Sequence, residues 1–185
     1  MAQLHNTDQS YGIIAQTLHW LVAVLVFAQF ALGLYAADLP LSLARLQWLS
    51  RHKSLGLAIL ALVLLRLAWR WISRAPPPAP SLPQWQRRLA AATHGLLYAL
   101  LVLVPLAGWM HASAAGLSAS WFGLFPVPDL LPKQPQWAGP LKLVHQAGAA
   151  LLALLILVHI LGVLRHALLL RDDVLQRMLP WRRGP

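Results

Sequence analysis

The sequence contains no cysteine and no glutamate, and charged residues make up only 11% of its 185 positions. Without cysteine the chain forms no disulfide, iron–sulfur cluster or thiolate-bound zinc site, and it lacks the C-x-x-C-H motif for covalent haem attachment. The five acidic residues are all aspartates. Carboxylate-rich metal sites of the di-iron bundle type, which need several glutamates, are therefore excluded as well.

Hydrophobic residues, by contrast, account for 58% of the chain, which is typical of a membrane protein. No basic segment precedes a short apolar stretch and a cleavage site, so we interpret the first apolar segment as a true span and not as a signal peptide. The formal net charge is +10. In so apolar a chain, membrane topology and anionic lipid explain this excess better than nucleic acid, so we expect membrane lipid as a partner and no nucleic acid.

Four apolar segments are each long enough to cross a bilayer as a helix. The predicted spans cover residues 17–37, 52–72, 91–112 and 141–170. We also expect a short separate helix over Ser42–Trp48, a surface cap over 113–139 and an amphipathic, interfacial tail over 171–185. With no internal repeat and no second domain, residues 1–185 predict one all-α membrane domain, a four-helix transmembrane bundle.

An even number of spans places both termini on one side of the membrane, and the basic residues indicate which side. The side with the termini has ten, which are Arg66, Arg70, Arg74, Arg87, Arg88, Arg165, Arg171, Arg177, Arg182 and Arg183. The other side has five, which are Arg45, Arg51, Lys53, Lys133 and Lys142. The positive-inside rule therefore predicts that both termini are cytoplasmic. The outer side keeps a positive excess that would suit an anionic substrate.

Histidines inside the predicted spans lie at two depths. His145 and His159 are 14 residues apart, which puts both rings on one face of the fourth helix, roughly 21 Å apart along its axis. With the predicted topology, His159 shares the cytoplasmic half with His19, and His145 shares the outer half with His52. A lone membrane histidine is more often a packing or hydrogen-bonding residue. Two depth-matched pairs, however, favour axial ligation of two haem irons by neutral imidazole.

Further residues could complete such sites. Arg66 follows His52 by 14 residues and lies level with the inner pair, either as a counter-charge for a haem propionate or as an arginine that snorkels to the headgroups. His94 and His166, at the cytoplasmic ends of their spans, either cap helix ends or line a site near the inner haem. Three glycines follow paired histidines by one turn and could leave room for a macrocycle, although glycine also serves ordinary helix packing. They are Gly56, Gly148 and Gly162.

Several segments give the chain a recognisable resemblance. They are Thr17-Leu-His-Trp-Leu-Val22, Arg51-His-Lys-Ser-Leu-Gly56, Leu65-Arg-Leu, the two fourth-span histidines and the tail that starts at Arg171. In these the chain resembles the bacterial cytochrome b561 family of four-helix dihaem proteins of the inner membrane. The resemblance implies that His19 and His159 hold an inner haem b and that His52 and His145 hold an outer one.

The resemblance also implies a reaction, because it is strongest to superoxide oxidases, in which superoxide gives electrons at the outer face and ubiquinone is reduced in the membrane. Bis-histidine iron has no open position, so outer-sphere electron transfer is expected. We expect Arg51 and Lys53, within the outer basic patch, to attract superoxide, unless they form a solvated rim or contact lipid. By resemblance His166 lies near the quinone; His166 or His94 could also relay protons to it.

Two other functions fit the same residues. The chain could be a cytochrome b subunit that anchors, and takes electrons from, a separate dehydrogenase or hydrogenase. It could also be a cofactor-free transporter or structural bundle. The visible spectrum of the purified protein separates the last function from the others, since only a haem protein absorbs there.

Overall fold

A computed structural model describes residues 3–77 and 83–179 of the chain. The chain is mostly helical, with α1 at Ile13–Asp38, α2 at Leu43–Ile72, α3 at Gln84–Ala114 and α4 at Pro135–Leu164. A π-helical segment, Arg165–Leu170, continues α4. Within the described part of the chain these four helices are long and apolar enough to cross a membrane. The prediction of a multi-pass helical membrane protein is confirmed.

The helices begin earlier than predicted. α2 starts at Leu43, where Ser42 accepts a hydrogen bond from the backbone nitrogen of Arg45, and it runs on through Trp48 without a break. The separate helix expected at Ser42–Trp48 was therefore wrong. No proline or glycine separates Trp48 from His52, so nothing in the sequence ends the first turns. His52 lies more than two turns inside its helix instead of at its start, and α4 likewise begins well before His145.

The bundle core is small, and its central buried cluster consists of β-branched residues. α1 packs against α2 and α3 against α4, and α2 also contacts α3. Val22, Val26, Ile59 and Val63 form the buried cluster at the α1–α2 contact. Much of the remaining surface is apolar, including Trp71, which is 84% exposed. Such a surface suits lipid contact, because a helix satisfies its own backbone hydrogen bonds and is stable in hydrocarbon when its exterior is apolar.

The segment between α3 and α4 contains a short β-hairpin, which departs from the all-helical expectation. Strand β1 (Ser120–Trp121) pairs with β2 (Phe125–Pro126) in antiparallel register. The turn between them uses positive φ at Phe122 and Gly123. Ser54 of α2 fixes the hairpin: its hydroxyl donates to Ser120 O at 2.7 Å and accepts from Phe122 N at 3.0 Å. The segment is therefore a folded cap over α2.

Both described ends of the chain meet at one end of the bundle. The backbone nitrogen of Tyr11 donates to Arg177 O at 3.2 Å, and Trp20 Nε1 donates to Met178 O at 2.9 Å. The termini thus share a side, as an even number of spans requires. That this side is cytoplasmic stays a prediction. The described part of the tail ends at Leu179, so Arg182 and Arg183 of the charge count lie outside the described residues.

Candidate functional site

The structure brings the four span histidines together in two pairs. The outer pair joins His52 of α2 to His145 of α4, with ring centroids 6.2 Å apart and an interplanar angle of 86°. The inner pair joins His19 of α1 to His159 of α4, with centroids 6.3 Å apart and an angle of 77°. Each pair therefore crosses the bundle between two helices, and α4 contributes one ring to both.

The spacing of each pair fits two axial ligands of one metal ion. An imidazole nitrogen binds a metal at about 2.0–2.1 Å, so two rings on opposite sides of one ion have centroids about 6 Å apart. Within the described ranges no group of three or more His, Cys, Asp or Glu residues could hold a metal ion. A metal bound by only two protein ligands must bring its remaining ligands with it. The iron of a haem does so, and the donor set of each pair therefore fits haem.

Glycines allow the outer rings to lie against neighbouring helices. A Cβ at Gly33 would lie 2.8 Å from Cε1 of His52, and a Cβ at Gly108 would lie 2.9 Å from Cε1 of His145. The Nδ1–H of His145 donates to Val104 O at 2.9 Å. A carbonyl bond of this type fixes the ring tautomer and leaves Nε2 free for a metal.

The two glycines that contact the outer rings were not anticipated from the sequence. Gly33 and Gly108 adjoin the histidine rings, whereas the anticipated Gly56 adjoins Gln29 and Gly148 adjoins Val104. A Cβ at Gly162 would meet nothing within 4 Å. The spacing argument considered only glycines on the same helix as each histidine. The outer rings, however, contact glycines of the facing helix. A glycine at the same depth on a neighbouring span would have been the better signal.

Cationic and aromatic side chains surround the inner pair. The ring of His94 lies 5.3 Å from that of His159, so α3 adds a third imidazole. Arg66 Nε donates to the hydroxyl of Tyr98 at 2.9 Å, and its guanidinium is close enough to interact electrostatically with His19, His94 and His159. Tyr98, which holds Arg66 in this inward position, was not anticipated from the sequence.

His166 lies in the π-helical segment and has an acidic partner. Its Nδ1 donates to Oδ2 of Asp172 at 2.6 Å. Arg171 adopts a left-handed conformation with φ of 50°, which reverses the chain, and the other oxygen of Asp172 accepts from the backbone nitrogen of Val174 at 3.1 Å. Within the described residues His166 makes no ring contact with either histidine pair. Asp172 was missed because its contact with His166 depends on this reversal of the chain at Arg171.

The two outer bases singled out from the sequence differ in their surroundings. Lys53 Nζ donates to the carbonyls of Leu117 and Ser118 at 2.9 and 3.1 Å, so it attaches the cap to α2. Arg51 is exposed, and its guanidinium lies 4.4 Å from the ring centroid of Trp48. Arg51 is therefore the freer cation at this end of the bundle.

Two imidazole pairs with this spacing, inside a four-helix membrane bundle, are the features of a membrane cytochrome of the b type. The family model for prokaryotic cytochrome b561 matches residues 10–181. The chain belongs to the prokaryotic cytochrome b561 family. It is accordingly a membrane electron-transfer protein of oxidoreductase type, and the family implies that it binds haem b.

Individual relatives match over almost their whole length. Cytochrome b561 homolog 2 of Escherichia coli is 35% identical over 181 residues, covering 94% of this chain and 93% of the relative. A protein of Yersinia pestis described as a probable superoxide oxidase is 29% identical over 177 residues, covering 95% and 99%. Cytochrome b562 of Cereibacter sphaeroides is 30% identical over 177 residues, covering 93% and 96%.

Proposed function

We propose that the chain is a dihaem cytochrome b of the bacterial inner membrane that oxidises superoxide at its outer face and reduces ubiquinone. The main support for this proposal is the spacing of the outer and inner histidine pairs, whose ring centroids are 6.2 and 6.3 Å apart. The relative described as a superoxide oxidase supports the choice of reaction. His19 and His159 would hold the inner haem b, and His52 and His145 the outer one.

The four histidines fix where electrons can pass. With His19 and His159 holding one haem and His52 and His145 the other, each haem would supply outer-sphere one-electron transfer. His145 and His159 lie on one unbroken helix, so the two levels are separated by roughly 21 Å along its axis. Electrons can therefore cross most of the bilayer within this one chain.

Atoms and electrons balance for two superoxide anions per quinone. Each superoxide loses one electron and leaves as dioxygen. The two electrons and two protons convert one ubiquinone to ubiquinol. The outer half of the reaction therefore needs attraction of an anion, and the inner half needs a proton donor near the quinone.

Attraction of the anion is assigned to the outer basic patch. Arg51 is exposed on α2, next to His52 in the sequence, while Lys53 attaches the cap to α2 through two carbonyls. A cleft of one charge sign raises association rates by about 10–10³. We assign Arg51 the direct role and Lys53 the placement of the cap around it.

Proton delivery is assigned to the end of the bundle where the chain termini meet. His166, held through Nδ1 by Asp172 at 2.6 Å, keeps Nε2 for a quinone oxygen. π-Helical turns are frequent at functional sites. His94 is packed against His159 and lies closer to the inner histidine pair. From there it would line the inner haem site or relay protons to the quinone. Arg66 would neutralise a haem propionate on the same side.

A stopped-flow experiment on the isolated chain tests the proposal. Superoxide should reduce two haems per chain within one mixing experiment, and added ubiquinone should reoxidise them. A chain that holds haem but is not reduced by superoxide overturns the reaction. If such a chain also copurifies with a soluble dehydrogenase or hydrogenase that reduces it, the chain is an anchoring cytochrome b subunit instead.

A further inference from the structure

An apolar groove lies between α2, α3 and the cap, at the end of the bundle away from the chain termini. Its volume is about 390 Å³, which is within the range of small-molecule sites. The lining residues are all hydrophobic, four from α2, one from α3 and three from the cap. They are Leu57, Leu60, Ala61, Leu64, Trp109, Trp121, Phe125 and Val127. The groove includes none of the paired histidines, so it is separate from the two candidate haem sites.

The groove opens on a side of α2 that is turned away from the bundle core. Ile59 and Val63 belong to the buried cluster, and at about 100° per residue Ala61 and Leu64 lie on a different face of the helix. Leu64 is 51% exposed. Because α2 is long and apolar enough to cross a membrane, this face is continuous with the lipid-facing surface. Hydrocarbon is therefore the medium next to the groove.

The hairpin of the cap adds an aromatic wall to the groove. The rings of Trp121 and Phe125 are stacked, with centroids 6.3 Å apart and an interplanar angle of 9°. The turn between the strands presents Phe122 and Leu124, and Leu124 is 78% exposed. An apolar tip of this size is unfavourable in water and suits the membrane interface, where aromatic side chains are enriched. The hairpin is therefore placed to contact lipid.

The polar atoms of the lining residues indicate which part of a ligand the groove can hold. Nε1 of Trp109 already donates to Pro128 O at 3.1 Å, so this indole offers no donor. Trp121 is partly exposed, and its indole N–H has no acceptor among the described residues. A quinone ring inside the groove would leave its oxygens without enough donors, which is costly. An alkyl chain needs no donors there, and one N–H remains for a polar group attached to it.

We propose that the groove binds one acyl chain of a phospholipid from the leaflet at this end of the bundle, with the ester region of that lipid at the indole N–H of Trp121. The bound chain fills the space between α2 and the hairpin and helps to hold the cap on α2, together with the hydrogen bonds of Ser54 and Lys53. The proposal requires only that the chain spans a membrane, and it does not depend on the electron donor or acceptor.

Photochemical crosslinking to a lipid probe tests the proposal on the full chain with its haem. The probe is phosphatidylethanolamine with a diazirine in one acyl chain, added as a trace to vesicles of phosphatidylcholine that contain the protein. Transfer into detergent before illumination disperses loosely bound lipid, and mass spectrometry of peptides then locates the label. We expect label on residues 57–64 and 121–127, and much less on the exposed apolar face of α4.

The substitution Ala61→Phe fills the groove from α2. Ala61 is exposed and lines the groove, so the added ring enters open space and not the core. Loss of two or more methylene contacts should weaken binding about tenfold or more, and label on the hairpin should fall to a similar extent. The matched control is Ala68→Phe, because Ala68 is exposed on the same helix but lies outside the groove. Haem absorbance equal to that of wild-type protein checks that each variant is folded.

A second variant tests the contact with the ester region. Trp121→Phe keeps an aromatic ring beside Phe125 and removes the N–H donor. Loss of one hydrogen bond should reduce the label in the groove about 2- to 10-fold. Trp109→Phe is the control, since the donor removed there is already bonded to Pro128 O.

Three results would overturn the proposal. Label spread evenly over the apolar faces of the helices would show that no site exists, and this wild-type result decides the question even if a variant fails to fold. Equal label on the hairpin in folded Ala61→Phe and wild-type protein would show that the groove is not the place of binding. Displacement of the probe by ubiquinone, but not by unlabelled phosphatidylethanolamine, would assign the groove to an isoprenoid tail.

Discussion

Each paired histidine lies against a different set of neighbours. The outer rings rest on glycines of facing helices, and His145 is fixed by the carbonyl of Val104. The inner rings are flanked by His94 and lie near Arg66. The outer site therefore depends on close backbone approach, whereas the inner site depends on charged and aromatic side chains. Single substitutions should affect the two sites separately.

Replacing His52 by alanine should remove one haem and leave the other. His145 would keep only one side of the outer site, while His19 and His159 are untouched. The haem-to-protein ratio from the reduced spectrum should fall by about half. His111→Ala is the control, because its Nδ1 donates to Ala138 O and it belongs to neither pair. Two haems retained in His52→Ala would contradict the pairing.

Gly108→Ala should weaken the outer site through overpacking. The added Cβ meets the His145 ring at 2.9 Å, and forced shifts in a packed interior cost about 1–3 kcal/mol. Thermal unfolding should show lower stability, with partial loss of one haem. Gly95→Ala on the same helix meets nothing within 4 Å and should be neutral or stabilising. Equal behaviour of both variants would show that the contact is unimportant.

At the scale of elements, the π-helical segment differs most from what the sequence predicted. A regular α-helix to residue 170 was expected, and the structure ends α4 at Leu164. The segment brings His166 to within 2.6 Å of Asp172. Helical periodicity located His166 correctly along the axis, at the end of the bundle where the described chain ends meet. It could not identify Asp172, because the contact requires the chain reversal at Arg171.

Asp172→Asn should slow quinone reduction and spare the outer half-reaction. The variant loses a charge-assisted hydrogen bond that holds His166, and positioned proton transfer contributes about 10²–10⁴-fold to rates. In stopped flow, reoxidation by ubiquinone should slow at least about tenfold, while reduction by superoxide is unchanged. Asp173→Asn is the control, since that carboxylate pairs with Arg177 four residues on. A loss in both half-reactions would indicate general misfolding.

For the helices as a whole, sequence periodicity predicted more than sequence composition did. The 14-residue spacing in α4 placed His145 and His159 on one face without knowledge of their partners. The contacts of Gln29, Gly33 and Gly108 could not be predicted from the sequence, because they depend on how each helix is rotated about its axis. The early starts of α2 and α4 were missed because their first turns are too polar or too proline-rich to resemble a span.

At the scale of the whole molecule, the end of the bundle away from the chain termini carries a basic excess, since five basic residues lie there against Asp38 and Asp129. Superoxide-driven haem reduction should therefore slow as salt is added, since the Debye length shrinks to about 8 Å at 0.15 M ionic strength. Arg51→Gln should lower the rate at low salt by about 3- to 10-fold and flatten the salt dependence. Arg74→Gln, at the opposite end, is the control. A flat salt profile in wild-type protein would contradict steering.

In the proposed function, the single helix α4 carries one ligand for each of the two haem sites. The vertical gap between them is thus set by the rise of α4 between His145 and His159, and not by how firmly the other helices pack. Few hydrophobic side chains of the described helices are fully buried. The electron-transfer distance between the two haem sites along α4 would stay constant. The rate of electron transfer between them should therefore be insensitive to lipid composition and to bilayer thickness.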